Sequence, residues 1–315
     1  MRSALCQLLG LILGLACASP VFGGSIRLAT YNLNNYLLMD RNVGAVWRPA
    51  YPKPEAEKAI IRDVIKKALP DVLALQEMGA RPFLEELRAD LALDGVDYPY
   101  AIHMKGVDEV RHLAVLSKLP PTEVVKHQDL SFKYLDRREL VKRGMLELSF
   151  QQSNGLPFKV FVVHLKSRWS DEKADIESKL RRTREAEACR NRIIERTFEM
   201  GVPDFLIAGD FNDHLGSATM RRFHRRGSLA VGSLVPAVDS REEQWTYFYK
   251  KQAVYSLVDG FIVSNSLSPK VATGRGTIMD IQGSLLGSDH RMVYLDLAVP
   301  PPESADEATD PRSSK

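Results

Sequence analysis

Apolar residues along this chain of 315 residues come in short blocks with two different spacings. Residues 205–208, Phe-Leu-Ile-Ala, form a continuous run, as expected for a strand covered on both faces. Residues 25–32 alternate Ile26 and Leu28 with a polar set, and further strand-like blocks lie at 71–75, 98–104, 111–117, 122–125, 144–150, 157–165, 244–249, 256–263 and 292–299. Asn154-Gly155 between two of these blocks is a hairpin signal. One-turn spacing marks the helices. Ile60, Ile61, Val64, Ile65 and Ala68 share a face over 55–69, closed by Pro70, and 82–93 repeats the pattern. The spacing also predicts one long helix over 171–200, with Ile176, Leu180, Thr183, Ala186, Cys189 and Ile193 on its inner face, and a short helix over 217–223.

Strands outnumber helices, and no strand–helix alternation runs the whole length. Two helix-covered sheets packed face to face fit this order better than a doubly wound parallel sheet. No linker composition interrupts 24–299, so one domain is expected there. Residues 1–23 read as an export signal: Arg2 precedes the apolar run 8–15, which is too short to span a bilayer. Cleavage could follow Ala18, the end of a small-x-small pattern, but is expected after Gly23 or Gly24, and lipid anchoring through Cys17 is the alternative. The protein is thus expected outside the cytoplasm, periplasmic or extracellular, with no transmembrane segment and as a monomer. Residues 300–315, rich in Pro, Ser and acids, are expected to be disordered. After cleavage only Cys189 remains, which excludes an internal disulfide and a cysteine-based metal site.

Polar residues at the strand ends change the picture from a fold to a chemistry. Asn32 and Asn34 follow the first strand, Glu77 the second, and His164 with Lys166 a later one. Asp210 and Asn212 follow Phe205–Ala208 after Gly209, a residue that lets the backbone pass close to something. A carboxylate and an amide two residues apart can point to one side of an extended segment. Asp259 lies in SLVDGFIVS and His290 in Ser288-Asp289-His290. Each residue alone has an ordinary explanation, such as a turn, a helix cap or a satisfied core histidine. Together they can hold a divalent cation, activate a water and donate to the charge that builds on phosphorus, the three needs of phosphodiester hydrolysis.

The motifs TYNLNN (30–35), ALQE (74–77), VVHLKS (162–167), GDFND (209–213), VDGFIVS (258–264) and SDHRMVYLDL (288–297) occur in an order that resembles the endonuclease/exonuclease/phosphatase superfamily of metal-dependent phosphoesterases. The resemblance runs from about residue 26 to 299. It implies a four-layered αββα sandwich with the site at one edge of two mainly antiparallel sheets. Glu77 resembles the magnesium-binding glutamate, with Asn34 and Asp289 near the ion, and manganese or calcium are alternatives. Asp210 resembles the aspartate that orients or deprotonates the attacking water, and Asn212 the amide holding it or the phosphate. His290 resembles the histidine beside the scissile phosphate, Asp259 its orienting carboxylate, His164 a second catalytic histidine, and Asn32 the first-motif asparagine. Asn34 stands where some members have aspartate, Met292 replaces a frequent proline, and His112 stands where a small residue or Asn is common.

Charge bears on the substrate. The formal net charge is +3; without Arg2 and the acidic tail the remaining body carries about +4. Arginines and lysines cluster at 137–143, at Lys166 and Arg168, at Arg181, Arg182 and Arg184, and at Arg221, Arg222, Arg225 and Arg226. Any one cluster reads as a solvated face; several near one catalytic face attract a polyanion. Lys166, Arg168, Arg181 and Arg182 are the expected substrate contacts. The expectation is therefore an exported, metal-dependent nuclease acting on DNA or RNA with water activated at Asp210. A phospholipid, sphingomyelin or phosphoinositide head group is the alternative substrate. A silent binding module is disfavoured because Glu77, Asp210 and His290 are all present.

Overall fold

Two β-sheets face each other across a shared apolar layer, and a pair of helices covers each outer face, giving an αββα sandwich. The computed structural model describes residues 24–151 and 157–299. The expected export signal, the Asn154-Gly155 turn and the expected disordered tail lie outside them. Thirteen strands build the two sheets. They are β1 (Gly24–Tyr36), β2 (Val72–Met78), β3 (Tyr100–Met104), β4 (His112–Ser117), β5 (Glu123–His127), β6 (Met145–Gln151), β7 (Pro157–His164), β8 (Phe205–Asp210), β9 (Ser233–Leu234), β10 (Ala237–Val238), β11 (Asp259–Val263), β12 (Gly276–Ile278) and β13 (Val293–Val299). The helices are α1 (Glu55–Ala68), α2 (Arg81–Leu93), α3 (Lys179–Arg196) and α4 (Ala218–His224).

The first sheet runs in the order β10-β12-β13-β1-β2-β4-β3 and the second β9-β11-β8-β7-β6-β5. Each is mainly antiparallel, with a parallel pair at its centre, β1 with β2 and β7 with β8. A parallel pair needs a crossover; α1 lies in the first and α3 in the second. This places the carboxyl ends of four central strands on one edge of the sandwich. Leu28, Ala74, Val115, Leu148, Val160, Leu206 and Phe261 fill the layer between the sheets. The alternate residues of the same strands meet the helices: Leu73 and Leu75 pack with Ile61 and Ile65, and Phe161, Val163 and Ile207 with Ala186, Cys189 and Ile193. Cys189 is a buried core thiol whose burial pushes its pKa up.

The long helix expected over 171–200 is shorter. Glu177 and Ser178 adopt left-handed backbone angles, φ 58° and 51°, which an α-helix excludes. The Asp175 carboxylate accepts hydrogen bonds from the Leu180 and Arg181 amides at 2.7 and 2.9 Å, so the helix starts at Lys179. Ile176 is consequently exposed. Hairpins at Met39–Val43 with Val46–Tyr51 and Ser131–Tyr134 with Arg137–Leu140 were not anticipated, and the expected strand over 244–249 is found at Tyr247–Tyr249, paired with the unexpected Val254–Ser256. Met39–Val43 carries little apolar alternation, and Ser131–Tyr134 alternates over only four residues.

One charged network is buried under the C-terminal end of α3. Glu147 on β6 accepts from His127 Nε2 and Lys159 Nζ, each at 2.7 Å, and from Arg196 Nε at 2.9 Å. Burial alone would raise its pKa; these three partners overcome that and hold it down at about 2.

Candidate active site

At the carboxyl edge of the sandwich, Asp210 is almost completely buried and surrounded by donors. Asn212 N reaches its Oδ1 at 2.8 Å, while Asn32 Nδ2 and Asn212 Nδ2 reach Oδ2 at 2.9 and 3.2 Å. His164 Nε2 lies 3.5 Å from the same oxygen, and His290 Nε2 4.0 Å. Asn32 comes from the first sheet and Asp210 from the second, so this hydrogen bond joins the layers at the site. Gly209 explains the approach of β7 and β8. A Cβ at that position would stand 2.0 Å from the Val163 carbonyl oxygen. Burial, together with the nearby Asp259, pushes the Asp210 carboxyl up to about 7, against the lowering effect of His290 and the amide donors.

Asp259 lies opposite Asp210 in the antiparallel β8–β11 register. Its Oδ2 accepts from His290 Nδ1 at 2.8 Å. Burial favours neutral imidazole, but Asp259 outweighs it, with help from Asp210 and Asp289, and His290 is raised to about 10. The ring is thus an imidazolium at neutral pH, with Nε2 4.0 Å from both Asp210 Oδ2 and Asp289 Oδ1. The Ser288 hydroxyl fixes its loop by donating to the Asn32 carbonyl at 2.7 Å and accepting from His290 N at 3.1 Å. Tyr247 covers the ring, centroids 4.7 Å apart. His164 is the opposite case. Burial, then Arg143, His290 and Arg111, push its pKa well below normal, so it is neutral. Its Nδ1 has no partner among the described residues and Nε2 lies between Asp210 and Glu77, which places its single proton on Nε2.

Glu77 sits 3.9 Å from His164 Nε2 and accepts from Asn35 N at 2.9 Å. The β1–β2 register shifts between Asn32 and Tyr36, and the β2–β4 register between Leu75 and Met78. These irregularities carry positive φ at Asn34 (46°), Asn35 (60°) and Glu77 (59°). Asn tolerates this region; Glu does so only under constraint. Buried Lys53 bonds the Asn34 carbonyl at 2.9 Å and Arg41 bonds that of Asn35 at 2.6 Å, bracing the strained loop.

Glu77, Asp289 and the Asn34 side-chain oxygen, which accepts from Asn35 Nδ2 at 3.0 Å, are all oxygen donors, the chemistry that magnesium or calcium takes. Burial raises the Asp289 carboxyl against the lowering effect of His290, and the Glu77 charge adds to the rise, a repulsion that a divalent cation would relieve. These residues fit such an ion. Asp210, Asp259 and His290 also lie with ligand atoms within 4.8 Å of one another. There, however, His290 Nδ1 and Asp259 Oδ2 are spent on each other, so the group reads as an oriented histidine beside a base.

The sequence matches the family model described as Endonuclease/Exonuclease/phosphatase family over residues 29–290. The chain belongs to this family. Among solved structures of the endonuclease/exonuclease/phosphatase fold, the Bacteroides vulgatus family protein shares 16% identity at a TM-score of 0.62, covering 87% of this chain and 99% of that one. Sphingomyelinase C from Streptomyces griseocarneus shares 16% at 0.57, covering 87% and 99%. The human Nocturnin catalytic domain, solved with bound sulfate, shares 14% at 0.59, covering 88% and 94%. At these identities the likeness is one of fold. No curated protein matches the sequence.

Within this endonuclease/exonuclease/phosphatase fold, Asn32, Glu77, His164, Asp210, Asn212, Asp259, Asp289 and His290 converge at one edge, with Asn34 on the adjoining loop. The expected substrate-binding cations are placed differently. Arg182 is 1% exposed, bonded to Asp213 at 3.0 Å and to the Lys166 and Glu177 carbonyls, so it is an internal brace and not a solvent-facing contact. Arg181 pairs with Glu139 at 3.2 Å. The Lys166 ammonium is turned to the Ser167 and Trp169 carbonyls; burial, with Arg143 and Lys142 nearby, lowers it to about 8. Arg168 alone of the four is exposed without an ion pair among the described residues. His112 is buried, bonded to Gly79 O and His103, a packing role behind Glu77. Sequence reasoning missed Lys53, Arg41, Arg111, Tyr247 and the hydroxyl of Ser288. Only Ser288 carried a signal, its adjacency to Asp289-His290.

Proposed function

We propose that this protein is a divalent-metal-dependent phosphodiesterase that cleaves nucleic acid, DNA or RNA, with water activated at Asp210. The observation that carries this reading is the convergence of His164 and His290, one neutral and one cationic, on a single oxygen of Asp210. A carboxylate whose pKa is pushed up to about 7 is a better base than an ordinary aspartate while still ionised above that pH. Asn32 and Asn212 hold its oxygens in place, fixing the carboxylate that is to align and deprotonate an approaching water. The His290 imidazolium, fixed by Asp259, donates from Nε2 to an oxygen of the phosphate as negative charge grows there. His164, neutral, offers its Nε2–H from the other side. Glu77, Asn34 and Asp289 would hold the cation, magnesium being the expected ion and manganese or calcium the alternatives. When bound, a divalent cation supplies Lewis-acid neutralisation of phosphate charge.

A second reading, a phospholipid or sphingomyelin head group as substrate, is favoured by one feature. The Met39–Val43/Val46–Tyr51 hairpin exposes Val46 and Trp47 beside the loop that bears Asn34. Export to the periplasm or outside the cell remains part of the proposal and rests on residues 1–23; among the described residues no helix is long and apolar enough to cross a membrane. The test is a panel of DNA, RNA, sphingomyelin and phosphoinositide with the purified protein, each with magnesium and with chelator. The nuclease reading expects magnesium-dependent cleavage of DNA or RNA. Turnover confined to the lipids would replace it with the second reading.

A further inference from the structure

The outer helical layer of the second sheet holds a concentration of positive charge that the catalytic account does not use. Along α3 the fold neutralises its arginines one by one. Arg181 pairs with Glu139, Arg182 with Asp213, Arg184 with Glu187, Arg192 with Asp129, and Arg196 with Glu123 and Glu147. The exception is the group between α3, α4 and the Arg225–Arg226/Leu229–Ala230 hairpin. There a cavity of about 610 Å³ is lined by Arg190, Arg221, Arg222, Arg225 and Arg226, with Glu187 its one acid. Glu187 is already engaged by Arg184 at 2.8 Å and stands 3.7 Å from Arg190. Among the described residues, Arg221, Arg222, Arg225 and Arg226 make no ion pair. The Nε of Arg222 is buried without a partner among the described residues. Buried Arg190 is held by Asn191 and by the Arg222 and Arg225 carbonyls. Its pKa is lowered by burial, and the charges of Arg222 and Arg226 lower it further. Like charges gathered in a concave, partly desolvated wall repel one another, and a multivalent anion would relieve that.

We infer that this wall is a docking site for the phosphate backbone of a nucleic-acid strand, separate from the catalytic pocket. The inference rests on the nuclease reading for its choice of anion. Guanidinium groups match phosphate oxygens through paired N–H donors. An open wall of four guanidinium groups without an ion pair, backed by buried Arg190, suits several phosphates in succession better than one small ion. The position is also apt. Arg182, eight residues before Arg190 on α3, grips Asp213 beside the catalytic edge, so the wall lies about 12 Å further along the same helix. A strand crossing the site can therefore be held at a second point.

The test measures binding of short labelled DNA and RNA single strands by anisotropy, in chelator and across a salt series. It compares the wild type with the R222A/R225A/R226A and R222K/R225K/R226K variants. None of these side chains belongs to the catalytic machinery. Each lost phosphate contact on a single strand reduces the log affinity–log salt slope by about 0.7, so the alanine variant should lose roughly 2 units. The lysine variant should keep most of the slope. Hydrolysis of bis(p-nitrophenyl) phosphate should be almost unchanged in both, which also reports intact folding. A wild-type salt slope in the alanine variant, or no binding by the wild type, overturns the docking site, and in the former case cleavage of nucleic acid by the same protein leaves the nuclease reading standing. Steep binding lost in the alanine variant, from a wild type that cleaves neither DNA nor RNA in magnesium, supports the docking site and refutes the nuclease reading.

Discussion

Asp259→Asn isolates what the buried carboxylate does for His290. The variant keeps the shape of the side chain but removes the charge facing Nδ1 across 2.8 Å. A hydrogen bond to a charged partner contributes about 1.5–3 kcal/mol. If that contribution is expressed at the transition state, kcat/KM should fall roughly 10- to 150-fold. The pH profile separates this from general damage. In the wild type, activity should rise as Asp210 ionises near pH 7 and fall as His290 loses its proton near pH 10. Asp259 is the main influence raising His290 against burial, so its loss should bring the alkaline limb down by more than a pH unit. Because the folded-state pKa of His290 is raised, its stabilising contribution is complete below the unfolded value near 6.5 and disappears as pH rises through about 10. The D259N protein should accordingly lose its stability deficit toward high pH. The assay is kcat/KM for bis(p-nitrophenyl) phosphate across pH 5–11, alongside H290A and the double variant. The pair should behave as one unit, the double variant being little worse than H290A. An unmoved alkaline limb, or losses that multiply in the double variant, would refute the coupling.

Glu77→Gln should lower turnover by at least tenfold and raise the magnesium concentration needed for half-maximal activity, since a carboxylate is replaced by a neutral oxygen ligand; a metal titration checks it, and an unchanged requirement counts against Glu77 as ligand. Glu147→Gln should cost about 3 kcal/mol in urea unfolding at pH 7, the equivalent of moving a carboxyl from 4.5 to about 2. Because the folded-state pKa is depressed, that stabilisation is present above pH 4.5 and is lost as pH falls through about 2, so the gap between variant and wild type should narrow in acid; a pH-independent gap refutes the assignment. Gly209→Ala should destabilise the protein by about 1–3 kcal/mol or more and lower activity, because the added methyl meets the Val163 carbonyl between His164 and Asp210; wild-type melting and turnover would show that β7 and β8 can part at no cost.

The sandwich was legible because its central strands are continuous apolar runs that end in polar residues. Burial on both faces and exit at one edge both leave a mark on the sequence. Asp210, Asn212, His164 and Glu77 follow such runs directly, and Asp259 opens the strand that pairs with Asp210. The left-handed turns at Asn34 and Glu77 left weaker marks, since they arise from register shifts between strands distant in sequence. Lys53 could not be placed because its value comes from a carbonyl nineteen residues away. Tyr247 lies in the expected 244–249 strand, but its contact with His290 is made across forty-three residues and leaves no local mark. Arg182 is the instructive error. It lies four, seven and eleven residues before Ala186, Cys189 and Ile193, so the helical period puts it on the buried face. Its neighbours Arg181 and Arg184 suggested a charged surface, and the buried partner, Asp213, comes from a loop thirty-one residues on.

The central claim is that phosphodiester cleavage depends on the carboxylate of Asp210, and one rate comparison tests it most directly. The wild type and Asp210→Asn should be assayed with magnesium on a phosphodiester each can bind, after circular dichroism shows that both fold alike. The variant can still accept from Asn212 N and bind substrate, but it cannot take a proton from water. Its kcat should fall by about 10²–10⁴-fold with KM little changed. A D210N protein that turns over within a few-fold of the wild type would contradict the account.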